Sequence, residues 1–166
     1  MRMFIAIDIS EELKKTIASG MHDLKLAGIK GRFVPMVNLH QTLAFLGDVK
    51  DKAPVYDALK DIRFKPFRRS LAAYQAVGKA LTIAPKGNQG LSALAKDVRS
   101  ALDQAGIDYD HKPFVPHITL MRDGSGNWKG VKAPKGDMTV KTFEIMKSEE
   151  RDGKRVYTVL HHVGAG

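Results

Sequence analysis

The sequence predicts a mixed fold of strands and helices arranged as two related lobes that face one cleft. Three observations carry this reading. The motif histidine, any residue, threonine, leucine occurs twice, as His40-Gln41-Thr42-Leu43 and His117-Ile118-Thr119-Leu120, 77 residues apart. Each copy stands 36 residues after an apolar residue of a strand-like segment, Phe4 in one case and Leu81 in the other. Between strand and motif runs, both times, a long amphipathic stretch closed by a glycine, Gly28 or Gly106. A duplicated lobe accounts for the pattern, whereas a solenoid would need at least three units. With 6 His, 7 Thr and 14 Leu in 166 residues, about 0.02 copies of the motif are expected by chance.

Taken in order, Arg2 to Asp8 reads as a strand rich in β-branched and aromatic residues. Ser10 is a good N-cap, and Glu11 and Glu12 lie where the helix dipole favours acids. Leu13, Ile17, Met21 and Leu24 then recur at helical spacing until Gly28. Arg32 to Val34 is a short strand, and Leu39 to Leu46 a longer one ended by Gly47-Asp48. Val55, Ala58, Leu59 and Ile62 mark a second, shorter helix. Arg69 to Val77 and Ala80 to Ala84 are strands joined at Gly78-Lys79. Leu91, Leu94, Ala95, Val98 and Leu102 form the clearest amphipathic stripe in the chain. Phe114 to Arg122 is the strand of the second motif. Met138 to Met146 and Val156 to His162 are the last two strands, turned through Asp152-Gly153.

Composition narrows the function. Apolar residues at 43% and charged residues at 27% are ordinary for one compact globular domain spanning residues 1–166. The chain has no cysteine, which excludes disulfides and thiolate metal sites. The opening apolar run of MRMFIAIDIS is too short for a signal peptide core or a membrane span. The expectation is a cytoplasmic monomer with no membrane partner. A formal charge of +9 favours polyanionic partners by attraction and counterion release.

Histidine and threonine two apart on a strand share a face. A lone copy of such a pair is usually a polar edge of a core. Two copies, one per lobe, converge across a pseudo-twofold axis, so His40 and Thr42 project from one side and His117 and Thr119 from the other. Opposed imidazoles suit acid and base work on a phosphodiester. A histidine pKa near 6.5 lets one ring be neutral while the other is charged near neutral pH. The neutral ring takes a proton from water, the charged ring gives one to the departing oxygen, and the threonine hydroxyls hold nonbridging phosphate oxygens. Two histidines could also bind a metal, but zinc normally takes three protein ligands, and only Asp48 and Asp110 are conceivable helpers. No cofactor and no metal are expected.

At these residues the sequence resembles the two-histidine phosphoesterase superfamily, and most of all its RNA 2',3'-cyclic phosphodiesterases, formerly called 2'-5' RNA ligases. The opening RMFIAIDI, the run LHQTLAFLGDV at Leu39 to Val49 and the run FVPHITLMR at Phe114 to Arg122 carry the resemblance, which spans nearly the whole chain. It implies an α+β fold of two lobes, with mainly antiparallel sheets lining a central cleft and helices on the outer faces. It implies an enzyme that opens 2',3'-cyclic phosphate RNA ends, tRNA fragments among them, to a 2'-phosphate, and that forms or cleaves 2',5' linkages reversibly. Carried across, His40 and His117 are the catalytic pair, His117 as base and His40 as acid. Thr42, Thr119 and Arg122 bind the substrate phosphate. Strict alternation would put Arg122 on the face opposite His117, so it reaches the phosphate only if the strand ends or bulges there.

Other features are less specific. Arg63, Lys65, Arg68 and Arg69 surround Phe64 and Phe67, which reads either as a grip on single-stranded RNA or as core phenylalanines among solvated charges. The stretch Asp123 to Gly136, with Trp128, Lys129, Lys132 and Lys135, reads either as a flap stacking a base near the cleft or as a solvated loop. His22, His111, His161 and His162 lack the motif. Two other functions fit the motifs less well: a cyclic phosphodiesterase for small nucleotides such as ADP-ribose cyclic phosphate, and a module that binds RNA ends without turnover.

Overall fold

The computed structural model describes residues 1–87 and 89–164. Strand β1 (Arg2–Asp8) leads into helix α1 (Glu11–Leu26), whose first turn is capped by the Ser10 hydroxyl accepting from the Leu13 amide at 3.2 Å. Strand β2 (Lys30–Phe33), a 3-10 turn (Met36–Asn38) and β3 (His40–Asp48) follow. Next come α2 (Ala53–Leu59), β4 (Phe67–Val77), β5 (Ala80–Pro85) and α3 (Gln89–Gln104). The chain ends with β6 (Ile118–Ser125), β7 (Asp137–Val140), β8 (Thr142–Arg151) and β9 (Lys154–Gly164).

All strand pairings are antiparallel and join into one sheet ordered β7-β4-β5-β6-β3-β1-β8-β9, with β2 on the far end of β6. The order is symmetric about the β3–β6 seam: β1, α1 and β3 on one side match β5, α3 and β6 on the other. Ala6 pairs with Thr42, and Thr82 with Thr119, so strand and motif lie 36 residues apart in the first half and 37 in the second. Phe4 therefore corresponds to Ala80 and not, as the sequence offset implies, to Leu81.

The long helices are exchanged between the halves. Leu13, Ile17, Met21 and Leu24 of α1 pack with Leu71, Leu81, Ile83, Ile118 and Leu120, from β4, β5 and β6. Leu91, Leu94, Val98 and Leu102 of α3 pack instead with Met3, Ile5, Leu43, Phe143 and Ile145, from β1, β3 and β8. Each helix covers the strands of the other half, which binds the two halves together through their cores. Each such fully buried aliphatic side chain contributes roughly 1.5–3 kcal/mol. Both helices stop at a glycine in the left-handed region, Gly28 at φ 88° and Gly106 at φ 69°.

Two strands differ from expectation. The second motif strand starts at Ile118, not Phe114, because Pro113 and Pro116 supply no amide hydrogen to a ladder. The segment from Met138 to Met146 is two strands, since β7 pairs with β4 while β8 pairs with β1 and β9. Only Lys141 separates them. Apolar periodicity cannot register a change of partner.

The sheet is strongly curled. Although β1 and β8 separate β3 from β9, the Tyr157 ring lies 5.2 Å from that of His40, and the Asn38 side-chain amide donates to the Arg155 carbonyl at 3.0 Å. The helices occupy the convex side, and the concave side is the cleft.

Candidate active site

The halves meet at one residue pair, Gln41 of β3 opposite Ile118 of β6, the middle residues of the two motifs. Both are buried, at 1% and 0% exposure, and point to the helix side. Their neighbours His40, Thr42, His117 and Thr119 are half-buried on the concave side. Counted outward from the pair in antiparallel register, His40 lies on the Thr119 side and Thr42 on the His117 side. The structure thus brings together the four residues that the sequence singled out.

The imidazoles are held alike. Nδ1 of His40 donates to the Asn38 carbonyl at 2.8 Å, and Nδ1 of His117 to the Val115 carbonyl at 2.6 Å. A carbonyl can only accept, so each Nδ1 carries hydrogen and Nε2 is the nitrogen left for chemistry. The settings then diverge. His40 packs against Phe4, with ring centroids 5.0 Å apart, and edge-on to Tyr157, over a floor of Phe4, Ala6 and Met146. Burial is the main influence on its pKa, lowering it. The Asn38 carbonyl and the Asp8 carboxylate push upward, and the charges of His117 and Arg122 push downward. His40, His117, Arg122 and Asp8 thus share one electrostatic environment.

Arg122 reaches this side because β6 bulges. Thr119 pairs with Thr82 but Met121 with Leu81, which leaves Leu120 as an extra residue. Leu120 and Met121 both enter the helix-side core, and Arg122 turns back to the face of His117 and Thr119. The condition set by the sequence is met. Strand β3 bulges at the equivalent Leu43: Thr42 pairs with Ala6, and Ala44 with Ile5. This turns Phe45, the counterpart of Arg122, outward at 49% exposure with its ring 6.0 Å from Phe4. One flank of the cleft is therefore cationic and the other aromatic.

Several supporting residues carried no sequence expectation. Asn38 is buried and serves twice, its carbonyl orienting His40 and its side chain holding β9. Lys14 of α1, with a side chain only 6% exposed, places Nζ 3.2 Å from Asp8 Oδ1 and 3.3 Å from the Val37 carbonyl. It fastens the end of β1 to the turn that orients His40. Buried Glu144 accepts from the Asp8 amide at 2.9 Å, from Thr142 and from His162. One signal for Lys14 was legible, because it recurs at helical spacing with Ile17 and Met21 of the buried stripe. Lys14→Met should cost about 2 kcal/mol, the value of a charge-assisted hydrogen bond lost in a largely buried place. The cost stays at that level because Asp8, 45% exposed, remains solvated. Urea unfolding measures it, and turnover should fall with it as the His40 turn loosens.

Phe64 and Phe67 pack against the core beneath α2 and α3, so they do not grip RNA. Arg63 donates to the carbonyls of Lys60 and Ile62, and Arg68 pairs with Asp137 at 2.7 Å. Arg69 is no solvated charge: it is 1% exposed, donates to Gln41 Oε1 at 3.1 Å behind the motif seam, and burial pulls it down to about 10. Trp128 packs against the core beside α1, on the convex side, so the loop that carries it is not a flap over the histidines. His161 stacks on Tyr56 and His162 bonds Glu144. Among the described residues, no three His, Asp or Glu side chains converge as metal ligands.

A family model described as the 2'-5' RNA ligase superfamily matches residues 12–151. The chain is 33% identical to the RNA 2',3'-cyclic phosphodiesterase of Escherichia coli K12, over 96% of this chain and 93% of that protein. It is 32% identical to the enzyme of the same name from Methanocaldococcus jannaschii, over 96% and 98% of the two chains. The crystal structure of E. coli LigT complexed with 3'-AMP superimposes with a TM-score of 0.85 at 29% identity, covering 99% of this chain and 97% of that one. A family match over most of the length, a shared α+β fold and paired motifs at its seam give one answer: this chain belongs to the 2'-5' RNA ligase superfamily.

Proposed function

We propose that this protein is an RNA 2',3'-cyclic phosphodiesterase that hydrolyses the terminal cyclic phosphate to a 2'-phosphate by two-histidine acid and base catalysis. The observation that carries the reading is the meeting of both motifs at the Gln41–Ile118 pair, with each Nδ1 committed to a carbonyl. Two Nε2 atoms are then available to one phosphate. Binding alone would not need an opposed acid and base. The relatives' name supports the same activity.

In this mechanism His117 takes the proton of water, the water oxygen attacks phosphorus, the bond to the 3' oxygen breaks, and His40 protonates that oxygen. The Thr42 and Thr119 hydroxyls and the Arg122 guanidinium hold the nonbridging oxygens, where a bidentate guanidinium suits phosphate. A 5'-hydroxyl in place of water would form a 2',5' linkage by the same route. The basic surface favours RNA ends, such as those of cytoplasmic tRNA fragments, over small cyclic nucleotides. The test is incubation with a short RNA ending in 2',3'-cyclic phosphate, before and after exhaustive EDTA treatment. The expected product is a 2'-phosphate under both conditions. A 3'-phosphate, or loss on chelation reversed by a divalent metal, would overturn the reading.

The pH profile gives a sharper check. As acid, His40 must be protonated, and in the free enzyme burial holds its pKa below the ordinary value. That direction alone would suit a base. A bound phosphodiester brings a negative charge beside the ring, adding to Asp8 and raising it again. The alkaline limb of kcat/KM, which reports free enzyme, should therefore lie at lower pH than the alkaline limb of kcat, which reports the complex. Both limbs belong to the coupled pair rather than to single residues. Coincident limbs would count against His40 as the acid.

A further inference from the structure

Outside the cleft, a groove of about 570 Å³ runs between β4 and the loop of residues 126–136. We infer that this groove binds a single-stranded stretch of RNA upstream of the end held in the cleft. The inference rests on the substrate being an RNA end, and adds where the body of that RNA lies.

Five consecutive residues, Ser70 to Tyr74, line one wall. Strand β4 is irregular between Leu71 and Tyr74, where Ala72 and Ala73 are both exposed, and the run of neighbours follows the strand's edge. That edge is open. The last pair between β4 and β7 is Ser70 with Asp137, the Leu71 amide then donates to the Gly136 carbonyl, and beyond it, among the described residues, no strand pairs on that side of β4. The other wall is fixed. The loop lies so close along α1 that a Cβ on Gly20 would come within 2.8 Å of Pro134 and of the Tyr74 hydroxyl.

The chemistry of the walls selects a polyanion that carries flat rings. Lys86, Lys129, Lys132 and Lys135 line the groove, all exposed and none in an ion pair among the described residues. Asp137, the acid in the lining, is taken by Arg68 at 2.7 Å. Lys129, Lys132 and Lys135 recur every third residue, at most ~10 Å apart along the loop, so they form a row that successive phosphates can follow. Half-buried Trp128 rests on the core and lines the groove beside them, as a stacking surface that every base can use. Tyr74 braces this wall from beneath: its hydroxyl is buried against Gly20 of α1 with no partner among the described residues, and burial pushes its pKa up to about 12. Strand β4 stands two places from β6 in the sheet, about 10 Å at ordinary strand spacing, and its outer edge lets one RNA chain pass from the concave cleft round to the groove on the helix side.

Trp128 is the chain's one tryptophan, so intrinsic fluorescence reports on this groove directly. The experiment titrates the intact protein with oligouridylates of increasing length that end in a plain 3'-hydroxyl, and separately with ATP. Quenching should saturate at lower concentration as the oligomer lengthens, and should weaken steeply with salt. Each phosphate contacted on a single strand contributes about −0.7 to the slope of log affinity against log salt. Replacing Lys129, Lys132 and Lys135 together by Ala should remove about 2 from that slope. It should also raise KM for a cyclic-phosphate oligomer about tenfold, with turnover of a cyclic mononucleotide unchanged. Absence of quenching, equal quenching by ATP and by long oligomers, or an oligomer KM unmoved by the triple substitution would each overturn the inference. Failure of the wild-type protein to open any cyclic phosphate would instead sink the enzymatic reading, while the fluorescence titration would still decide for or against the groove.

Discussion

Replacing either motif histidine should nearly abolish turnover of a 2',3'-cyclic phosphate end while the protein stays folded. General acid or base catalysis is typically worth about 10²–10⁴-fold, and in the proposed mechanism His40→Ala or His117→Ala removes one of its two agents. The double variant should lose far less than the product of the single losses. Once water is not activated, protonating the leaving oxygen has little to accelerate, so the pair acts as a unit. The fold should survive because the strands are anchored by Gln41, Leu43, Ile118 and Leu120 on the opposite side of the sheet. His40 is the more delicate of the two, since its ring fills space between Phe4 and Tyr157. His40→Gln is therefore the companion variant that keeps bulk without the catalyst. Near-normal turnover in any of these variants, with circular dichroism confirming the fold, would end the two-histidine mechanism.

Much of this architecture was legible in the chain because its signals are local. The helical stripes, the Ser10 cap and the paired motifs depend on residues close together in sequence. The meeting of the motifs follows from duplication, since related halves pack about an axis. What stayed hidden depends on partners distant in sequence. The exchange of α1 and α3 between halves leaves no mark, because an apolar stripe fits either sheet equally well. Arg122 shows the limit well: alternation put it on the wrong face, and only pairing with β5 creates the bulge that turns it back. Asn38 orients His40 through a carbonyl, a group every residue owns, so no side-chain pattern announces it. Arg69 misled in the other direction, because an arginine among charged neighbours gives no sign that its own side chain is buried behind the seam.

The second large effect separates the two histidines from each other. Opening the ring to a 2'-phosphate means that water displaces the 3' oxygen, with attacking and leaving oxygens on opposite sides of phosphorus. One histidine faces each, and the structure makes their surroundings unequal. Asp8 stands directly across from His40 in the β1–β3 register, where it favours the charged ring that an acid must be. An RNA end with sulfur in place of the 3' oxygen leaves readily without a proton, so it needs the base but not the acid. With that substrate His40→Ala should recover most of the 10²–10⁴-fold loss, while His117→Ala should stay inactive. Because the substitutions are unchanged and only the leaving atom differs, misfolding cannot imitate selective rescue. Rescue of His117→Ala alone would reverse the two roles, and would mean that the burial lowering the pKa of His40 outweighs Asp8 and the bound phosphate even in the complex. Rescue of neither would show that bond breaking to the 3' oxygen is not where the second proton acts.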